Sequence, residues 1–192
     1  QTNATSKQLP YAGIQSVSST GFSAIGEYTT NKSGTDYVAW NFAAAEGFFD
    51  VVTYEGVNGN AVGTSFPHSL ASDPGFVICK KTSDSSGWFT YHKELGYDKG
   101  CLLNNTSAAE FQAAINASDS NTFTPHSQAE ESGEEYVAYL FADNPEGGIK
   151  CGEYTGVGSG GGVNYIECGF KPAWVMTKCS EEVSDWYIAD IK

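Results

Sequence analysis

Residues 132–142 read SGEEYVAYLFA, and residues 33–43 read SGTDYVAWNFA. The two stretches lie 99 positions apart and are identical at seven positions. In both, every second residue is large and apolar, so these residues share one face of an extended chain. They are Val137, Tyr139 and Phe141 in one copy and Val38, Trp40 and Phe42 in the other. Alternation of this kind is typical of a β-strand. The chain therefore carries one strand sequence twice, which predicts an internal repeat.

The repeat extends beyond this strand in both directions. GFFDVVTYEG at 47–56 parallels GGIKCGEYTG at 147–156, and PGFVICK at 74–80 parallels PAWVMTK at 172–178. GWFTYH at 87–92 parallels DWYIAD at 185–190, while Ile14 aligns with Ile115 and Phe22 with Phe123. A period near 100 residues is the size of a globular domain.

The alignment also predicts the domain organisation, because the chain enters the repeat in the middle of a unit. Residues 1–46 correspond to 102–146, and residues 47–101 correspond to 147–192. Residues 47–146 are therefore expected to form one complete unit. Residues 1–46 and 147–192 are complementary halves of a flanking unit, which we expect to pack together as a permuted second sandwich, within one chain or between neighbouring chains.

Composition favours strands over helices, since aromatic residues make up 14% of the chain and 22 residues are Gly. The apolar runs are short and are separated by clusters of Gly, Asn, Ser and Asp. We therefore expect an all-β fold, a tandem β-sandwich of the jelly-roll or lectin-like kind. One short helix is predicted where Ser107 and Glu110 have capping-box spacing ahead of Phe111 and Ile115.

Charge excludes one class of partner. The net charge is −13, and all ten basic residues are Lys, whereas nucleic-acid binding relies on basic patches that are commonly rich in Arg.

No apolar run is long enough to span a membrane. The chain begins at Gln1, which suggests processing or a longer parent polypeptide. The five Cys form no CxxC pair and are expected to be buried or free thiols, with one oxidised pair as the alternative.

The order of the motifs is similar to that of a known family. SGTDYVAWNFA, GFFDVVTYEG, PHSL, PGFVICKKT, GWFTYHKELG and LLNNTSAAEF follow one another as in a repeat domain of tailed-bacteriophage virion structural proteins, associated with tails or tail fibres. The resemblance covers residues from about 20 to 192. It implies a virion or extracellular location and other virion chains as partners, with homo-oligomers expected. It assigns no catalytic or binding residue.

Candidate binding residues come from the aromatic pattern. Two equivalent strands supply Trp88, Tyr91 and His92 in one copy and Trp186 and Tyr187 in the other. Exposed aromatic rings stack on sugars, which would make a cell-surface glycan the ligand. The alternative is that Trp88 and Trp186, which occupy the same place in both copies, are core anchors.

Other chemistry is weakly signalled. There is no GxSxG motif, and His68, His92 and His126 do not recur in the other copy. The acidic pairs Glu130-Glu131, Glu134-Glu135 and Glu181-Glu182 suit solvated loops better than a carboxylate pair for glycoside hydrolysis. We expect no catalytic residue, no metal site and no cofactor; calcium is the ion that the oxygen ligands would favour if one bound. Sequons occur at Asn3, Asn31, Asn104, Asn105 and Asn116, and would be glycosylated only in a secreted eukaryotic protein.

Three functional hypotheses follow in order. The first is a non-enzymatic virion protein, a tail-fibre or tail-appendage module that serves assembly and host-surface attachment. The second is a lectin-like carbohydrate-binding module of an extracellular protein. The third, weakest hypothesis is a polysaccharide-degrading appendage.

Overall fold

A computed structural model describes residues 13–26, 30–57, 63–110 and 113–191. Within these ranges the regular structure is all-β, as predicted, with short 3-10 turns at Ser127–Ala129, Pro145–Gly147 and Ser159–Gly161. The strands are β1 (Ile14–Val17), β2 (Phe22–Ala24), β3 (Phe49–Glu55), β4 (Phe66–Pro67), β5 (Pro74–Lys81), β6 (Trp88–His92), β7 (Ile115–Ser118), β8 (Thr122–Pro125), β9 (Glu135–Ala142), β10 (Trp174–Lys178) and β11 (Trp186–Asp190).

Two antiparallel sheets face each other in the middle of the chain. One has the strand order β3-β9-β5-β6, and the other has the order β4-β8-β7. In the larger sheet Phe141 lies opposite Phe49 of β3 on one side and opposite Phe76 of β5 on the other. Strand β9, which is the second of the two matching stretches, therefore lies between two strands that precede it by more than fifty residues.

The alternation in β9 determines which side chains enter the core. Tyr136, Ala138, Leu140 and Ala142 are buried, whereas the residues between them are half-buried on the opposite face. The buried face packs against Phe123 and Ile115 of the smaller sheet, which are fully buried. All members of this core lie between residues 54 and 142: Tyr54, Leu70, Val77, Cys79, Phe89, Tyr91, Ala114, Ile115, Phe123, Ala129, Tyr136, Ala138, Leu140 and Ala142.

Two hairpins occur twice with the same register. In β1–β2 and in β7–β8 the ladder is irregular after its first pair, Ile14↔Ala24 in one hairpin and Ile115↔Pro125 in the other. In β5–β6 and β10–β11 the pairs run without interruption, from Phe76↔His92 and from Trp174↔Asp190. Each pair of one hairpin maps onto the corresponding pair of its copy at the offset found in the sequence.

One tyrosine bond is also repeated. The hydroxyl of Tyr136 accepts a hydrogen bond from the backbone N–H of Glu131, and the hydroxyl of Tyr37 accepts one from the N–H of Lys32. In both cases the bond spans five residues and closes the turn that precedes the matching stretch. The repeat predicted from sequence thus includes side-chain contacts.

The two copies differ at the matching stretch itself. Residues 135–142 form the central strand β9, whereas residues 36–43 have no assigned ladder among the described residues. Val38, Trp40 and Phe42 are 76%, 48% and 40% exposed, so they do not pack as Val137, Tyr139 and Phe141 do. Residues 149–155, the copy of β3, have no assigned strand either. The division into 47–146 and a permuted flanking unit stays a prediction.

The helix predicted from Ser107 to Ile115 is wrong for the residues that the structure describes. Glu110 forms a β-bridge with Gly100, and Ile115 begins strand β7. The capping-box spacing is not used, because the N–H of Glu110 donates to the carbonyl of Gly100 instead. Phe111 lies outside the described residues.

Val77 and Val163 offer a matched test of where the stabilising core lies. Val77 is fully buried, and Val163 is 95% exposed. We expect Val77→Ala to reduce the free energy of unfolding by about 2–3 kcal/mol, through lost burial and the cavity left behind. Val163→Ala should change it by less than about 0.5 kcal/mol. Urea unfolding followed by Trp fluorescence measures both, and equal effects would contradict this placement of the core.

Candidate functional site

The face of the four-stranded sheet that points away from the core carries aromatic rings. Centroids of Phe49 and Phe141 lie 4.8 Å apart, and those of Phe76 and Phe141 lie 5.7 Å apart. Trp88 stacks on Tyr139 at 6.5 Å with an interplanar angle of 17°. We call these residues, Phe49, Phe76, Trp88, Tyr139 and Phe141, the aromatic face. Successive side chains of a strand point to opposite faces of the sheet, and these strands carry large apolar residues on both faces.

The first three candidate binding residues lie on β6 but not on one surface. Trp88 and His92 are half-buried, and the ring of His92 packs 6.3 Å from that of Phe76. Tyr91 points into the core and stacks on Tyr97 at 5.1 Å. Burial lowers the pKa of His92 and raises that of Tyr91. Both side chains are therefore uncharged at neutral pH.

The remaining two candidates lie on β11, in a different sheet. Trp186 is half-buried, and its Nε1–H donates to the carbonyl of Leu102 at 3.1 Å. Tyr187 is 65% exposed. The five predicted residues are thus not brought together in one site, and Tyr187 is the member whose ring is most open to a ligand.

Two lysines that align in the repeat share a structural role. The ammonium group of Lys80 donates to the carbonyls of Lys81 and Asp84. That of Lys178 donates to the carbonyls of Cys179 and Glu182, at 2.7 and 3.5 Å. Each lysine closes the loop between its two hairpin strands by bonding the carbonyls one and four residues further on. This explains why Lys recurs there without an acidic partner.

The first acidic pair, Glu130-Glu131, is not simply solvated as the sequence predicts, and two of the histidines bond nearby backbone groups. The side chain of Glu130 is buried and accepts from the N–H of Thr64, while Glu131 pairs with Lys81 at 2.5 Å. His126 caps the 3-10 turn that follows it, and His68 accepts from the N–H of Leu70. In the described ranges no group of three or more His, Cys, Asp or Glu side chains could hold a metal ion.

A surface cleft of about 430 Å³ lies beside the end of β9. Asn144 shapes it, because its Nδ2 donates to the carbonyl of Gly47 and its Oδ1 accepts from the N–H of Gly147. Ala71, at the cleft, has a φ of 54°, which is uncommon for a residue with a Cβ. The lining residues are Glu46, Gly47, Leu70, Ala71, Ser72, Asp143 and Asn144.

Asp143 is the charged anchor of this cleft. Lys93 forms an ion pair with Oδ2, and the N–H of Cys151 donates to Oδ1 at 2.9 Å. Burial alone would raise the pKa of Asp143, but the bonds from Lys93 and Cys151 and the charge of Lys150 outweigh it. The pKa of Asp143 is therefore lowered, and the carboxylate stays ionised.

Asp143 and Asn144 were not predicted from the sequence, because a repeat pattern highlights only the residues that the two copies share. Asp143 and Asn144 follow the repeated strand directly, but the first copy has Ala44 and Ala45 at these positions. A polar pair that interrupts an otherwise matching alignment is the signal that could have identified them.

The thiols and sequons contribute no assembled site. All five Cys are free, and burial raises the pKa of Cys79 and of Cys151 to about 12, which keeps both protonated. Asn31 and Asn116 are exposed, whereas Asn104 is half-buried and accepts from the N–H of Trp88. Asn105 is half-buried and accepts from the N–H of Ser107. Asn3 lies outside the described residues.

The chain belongs to the family described as a domain of unknown function, DUF7483, which matches residues 1–192. No curated protein and no solved structure matches the chain. In the part of the chain that the structure describes, no helix has the length and hydropathy of a transmembrane span.

Asp143→Asn tests the role of the ion pair. The pKa of Asp143 is lowered in the folded chain, so the pair stabilises fully above the unfolded pKa of about 4 and is lost as the pH falls through the lower folded value. The variant should lose about 1–3 kcal/mol at pH 7. Its stability should also fall less steeply than the native stability below pH 4.

Asp98, which is exposed, provides the matched control. Asp98→Asn should leave both the stability at pH 7 and its pH dependence near the native values. Urea titrations at several pH values measure both variants. A native acid profile for Asp143→Asn would contradict this account.

Proposed function

We propose that this chain is a structural module of a tailed-bacteriophage particle, part of a tail fibre or tail appendage that serves assembly and host-surface attachment. The proposal includes a tandem arrangement of two β-sandwich units. It further includes an extracellular or virion location and partners that are other virion chains, copies of itself among them. We do not assign catalytic activity.

One observation carries the proposal: what the two copies share is framework. The shared elements are hairpin registers, the tyrosine bond of Tyr37 and Tyr136, and the lysines Lys80 and Lys178 that bond loop carbonyls. The histidines and the Asp143–Asn144 pair occur in one copy alone. Repetition of a scaffold without repetition of reactive groups is the pattern expected when a module acts through its shape and number.

The charge and the exposed apolar side chains of the surface also support a structural role. The net charge of −13 disfavours anionic partners such as nucleic acids. Some large apolar side chains outside residues 47–146 are 79–95% exposed, namely Val17, Val163 and Tyr165, and exposed apolar patches commonly mark contact surfaces. The resemblance of the motif order to phage virion repeat domains names the assembly in which such contacts would be made.

A lectin-like module is the second candidate, because exposed tyrosine rings are available. Tyr187 and Tyr165 are 65% and 80% exposed, and aromatic rings with a polar tip suit stacking on sugar faces. Such binding would also serve host attachment within the first proposal.

Virus particles purified from the source culture test the structural role. Tryptic peptides 82–93 and 100–150 should be found by mass spectrometry in particles that survive a density gradient. Antibody against the chain should label the tail or its appendages in immunogold electron micrographs. Label on the bacterial surface alone, with no peptide in the particles, would contradict the virion role.

A glycan array distinguishes the second candidate. A lectin should retain specific glycans, and Tyr187→Ala should weaken this binding by about tenfold, the effect of losing roughly 1–2 kcal/mol of stacking. Val163→Ala is the matched control, because it shortens another exposed side chain and should leave the fold unchanged. Binding that both variants retain equally would exclude Tyr187, and release of reducing ends from a polysaccharide would instead support the depolymerase alternative.

A further inference from the structure

Two features are unpaired among the described residues: the extended-strand sequence at residues 36–43, and the outer edge of β10. In the middle sheet, β5 pairs with β6 on one edge and with β9 on the other. Strand β10, the copy of β5, has β11, the copy of β6, but no partner on its second edge. The copy of β9 is the unpaired stretch 36–43. Within the described ranges, the copy of a central strand therefore lies outside any sheet, and the copy of its sheet lacks a central strand.

One contact already joins these two elements in the same chain. The rings of Phe42 and Trp174 lie 6.1 Å apart. Their copies in the middle sheet, Phe141 and Phe76, lie directly opposite each other in the ladder with rings 5.7 Å apart. The flanking segments thus bring the copies of one cross-strand pair of the middle sheet within ring-contact distance of each other.

Equivalent residues of the two copies also meet each other. The rings of Phe42 and Phe141, which are copies, lie 6.0 Å apart with an interplanar angle of 88°. A Cβ added to Gly147 would lie 3.4 Å from the carbonyl oxygen of its copy Gly47. Contacts between equivalent residues are the mark of a two-fold axis. Both contacts lie at one junction, where a local two-fold arrangement of the copies would bring equivalent residues together.

We propose that residues 36–43 pair with β10 of the same chain, in the register of β9 on β5, and complete a second sheet that packs back to back with the first. The occupant of the β10 edge is thus a segment of this chain, and the outer faces of the two sheets meet at Phe42 and Phe141. The register follows from the repeat offsets: Phe42 opposite Trp174, Trp40 opposite Met176, Val38 opposite Lys178 and Tyr37 opposite Cys179.

The geometry favours pairing within one chain over pairing between two chains. Asn144 holds Gly47 and Gly147 side by side through its amide, so the segment before residue 47 and the segment after residue 147 leave the middle unit at one point. The other end of β10 is also anchored, because Ala109 donates to the carbonyl of Ser180 and Ser184 donates to that of Thr106. Both partners are therefore held beside each other, which gives a high effective concentration.

Burial provides the driving force. Closure would cover Val38 and Trp40 from the strand, and Val175 and Ile188 from the hairpin, which are between 41% and 76% exposed. It would also pair the backbone groups of two edges, which otherwise invite association with other chains. This inference concerns the fold of the chain and stands whether or not the virion role is correct.

A single cysteine substitution tests the register against the native Cys179, which is exposed. In the middle sheet the equivalent pair, Lys81 and Tyr136, is a non-hydrogen-bonded pair, because the next pair is bonded through the N–H of Thr82 and the carbonyl of Glu135. Such pairs have Cα atoms about 4.5 Å apart, within disulfide range. Tyr37→Cys, in a Cys168→Ser background, should form an intrachain disulfide with Cys179 on mild oxidation.

Asp36→Cys in the same background is the matched control. Its side chain would point to the opposite face of the strand, so no disulfide with Cys179 is expected. Non-reducing electrophoresis separates intrachain from interchain products, and peptide mapping identifies the bonded pair. A Tyr37→Cys product that links two chains, or equal cross-linking by both variants, would overturn the proposal.

Hydrogen exchange on the unmodified chain tests the same pairing without a substitution, so the test does not depend on whether a cysteine variant folds. Amides of residues 37–42 should exchange within about tenfold of the rate for residues 136–141, because both would be central strands. Amides in the loop 157–163 provide the reference for unprotected backbone. Exchange of residues 37–42 at the rate of that loop would overturn the closure.

Discussion

Strand β9 closes the larger sheet by hydrogen bonding to β3 and β5 at once. Its neighbours come from the first half of the unit, whereas β9 comes from the second half, so neither half can complete the sheet alone. The same strand supplies Tyr136, Ala138 and Leu140 to the core on one face and Tyr139 and Phe141 to the aromatic face on the other. The core, the aromatic face and the cleft at Asp143 all depend on this one insertion.

Such an insertion makes the fold non-local. Phe49 pairs with Phe141, a separation of 141 − 49 = 92 residues, whereas the hairpins β5–β6 and β7–β8 join neighbours in sequence. Non-local pairing is slow because loop-closure entropy must be paid before contacts form. The hairpins can form first and present two edges to β9. The repetition of these hairpins with the same register agrees with their being the locally specified part of the fold.

The sequence predicted the elements that local pattern determines. The repeat offset aligned Ile14 with Ile115 and Trp174 with Phe76, and the all-β class followed from alternation and composition. Whether a matching stretch is assigned to a sheet depends on distant strands: residues 135–142 form β9 and residues 36–43 have no ladder among the described residues, although five of the eight positions are identical. The helix at Ser107 failed for a similar reason: the N–H of Glu110 bonds the distant carbonyl of Gly100. Tertiary hydrogen bonding overrode a cap signal.

The candidate site could not be predicted from the repeat. Asp143 and Asn144 are invisible to a search for repetition, because their copies are Ala44 and Ala45. Yet Asn144 joins Gly47 to Gly147, and Asp143 joins the N–H of Cys151 to Lys93. Both residues lie where one copy ends and the next begins. This junction occurs twice, before Gly47 and before Gly147, and the two junctions meet at the single amide of Asn144. Because that one side chain bonds both glycines, the copy of Asn144 at Ala45 needs no second amide. This departure from the repeat accounts for the polar cleft without assigning it a ligand.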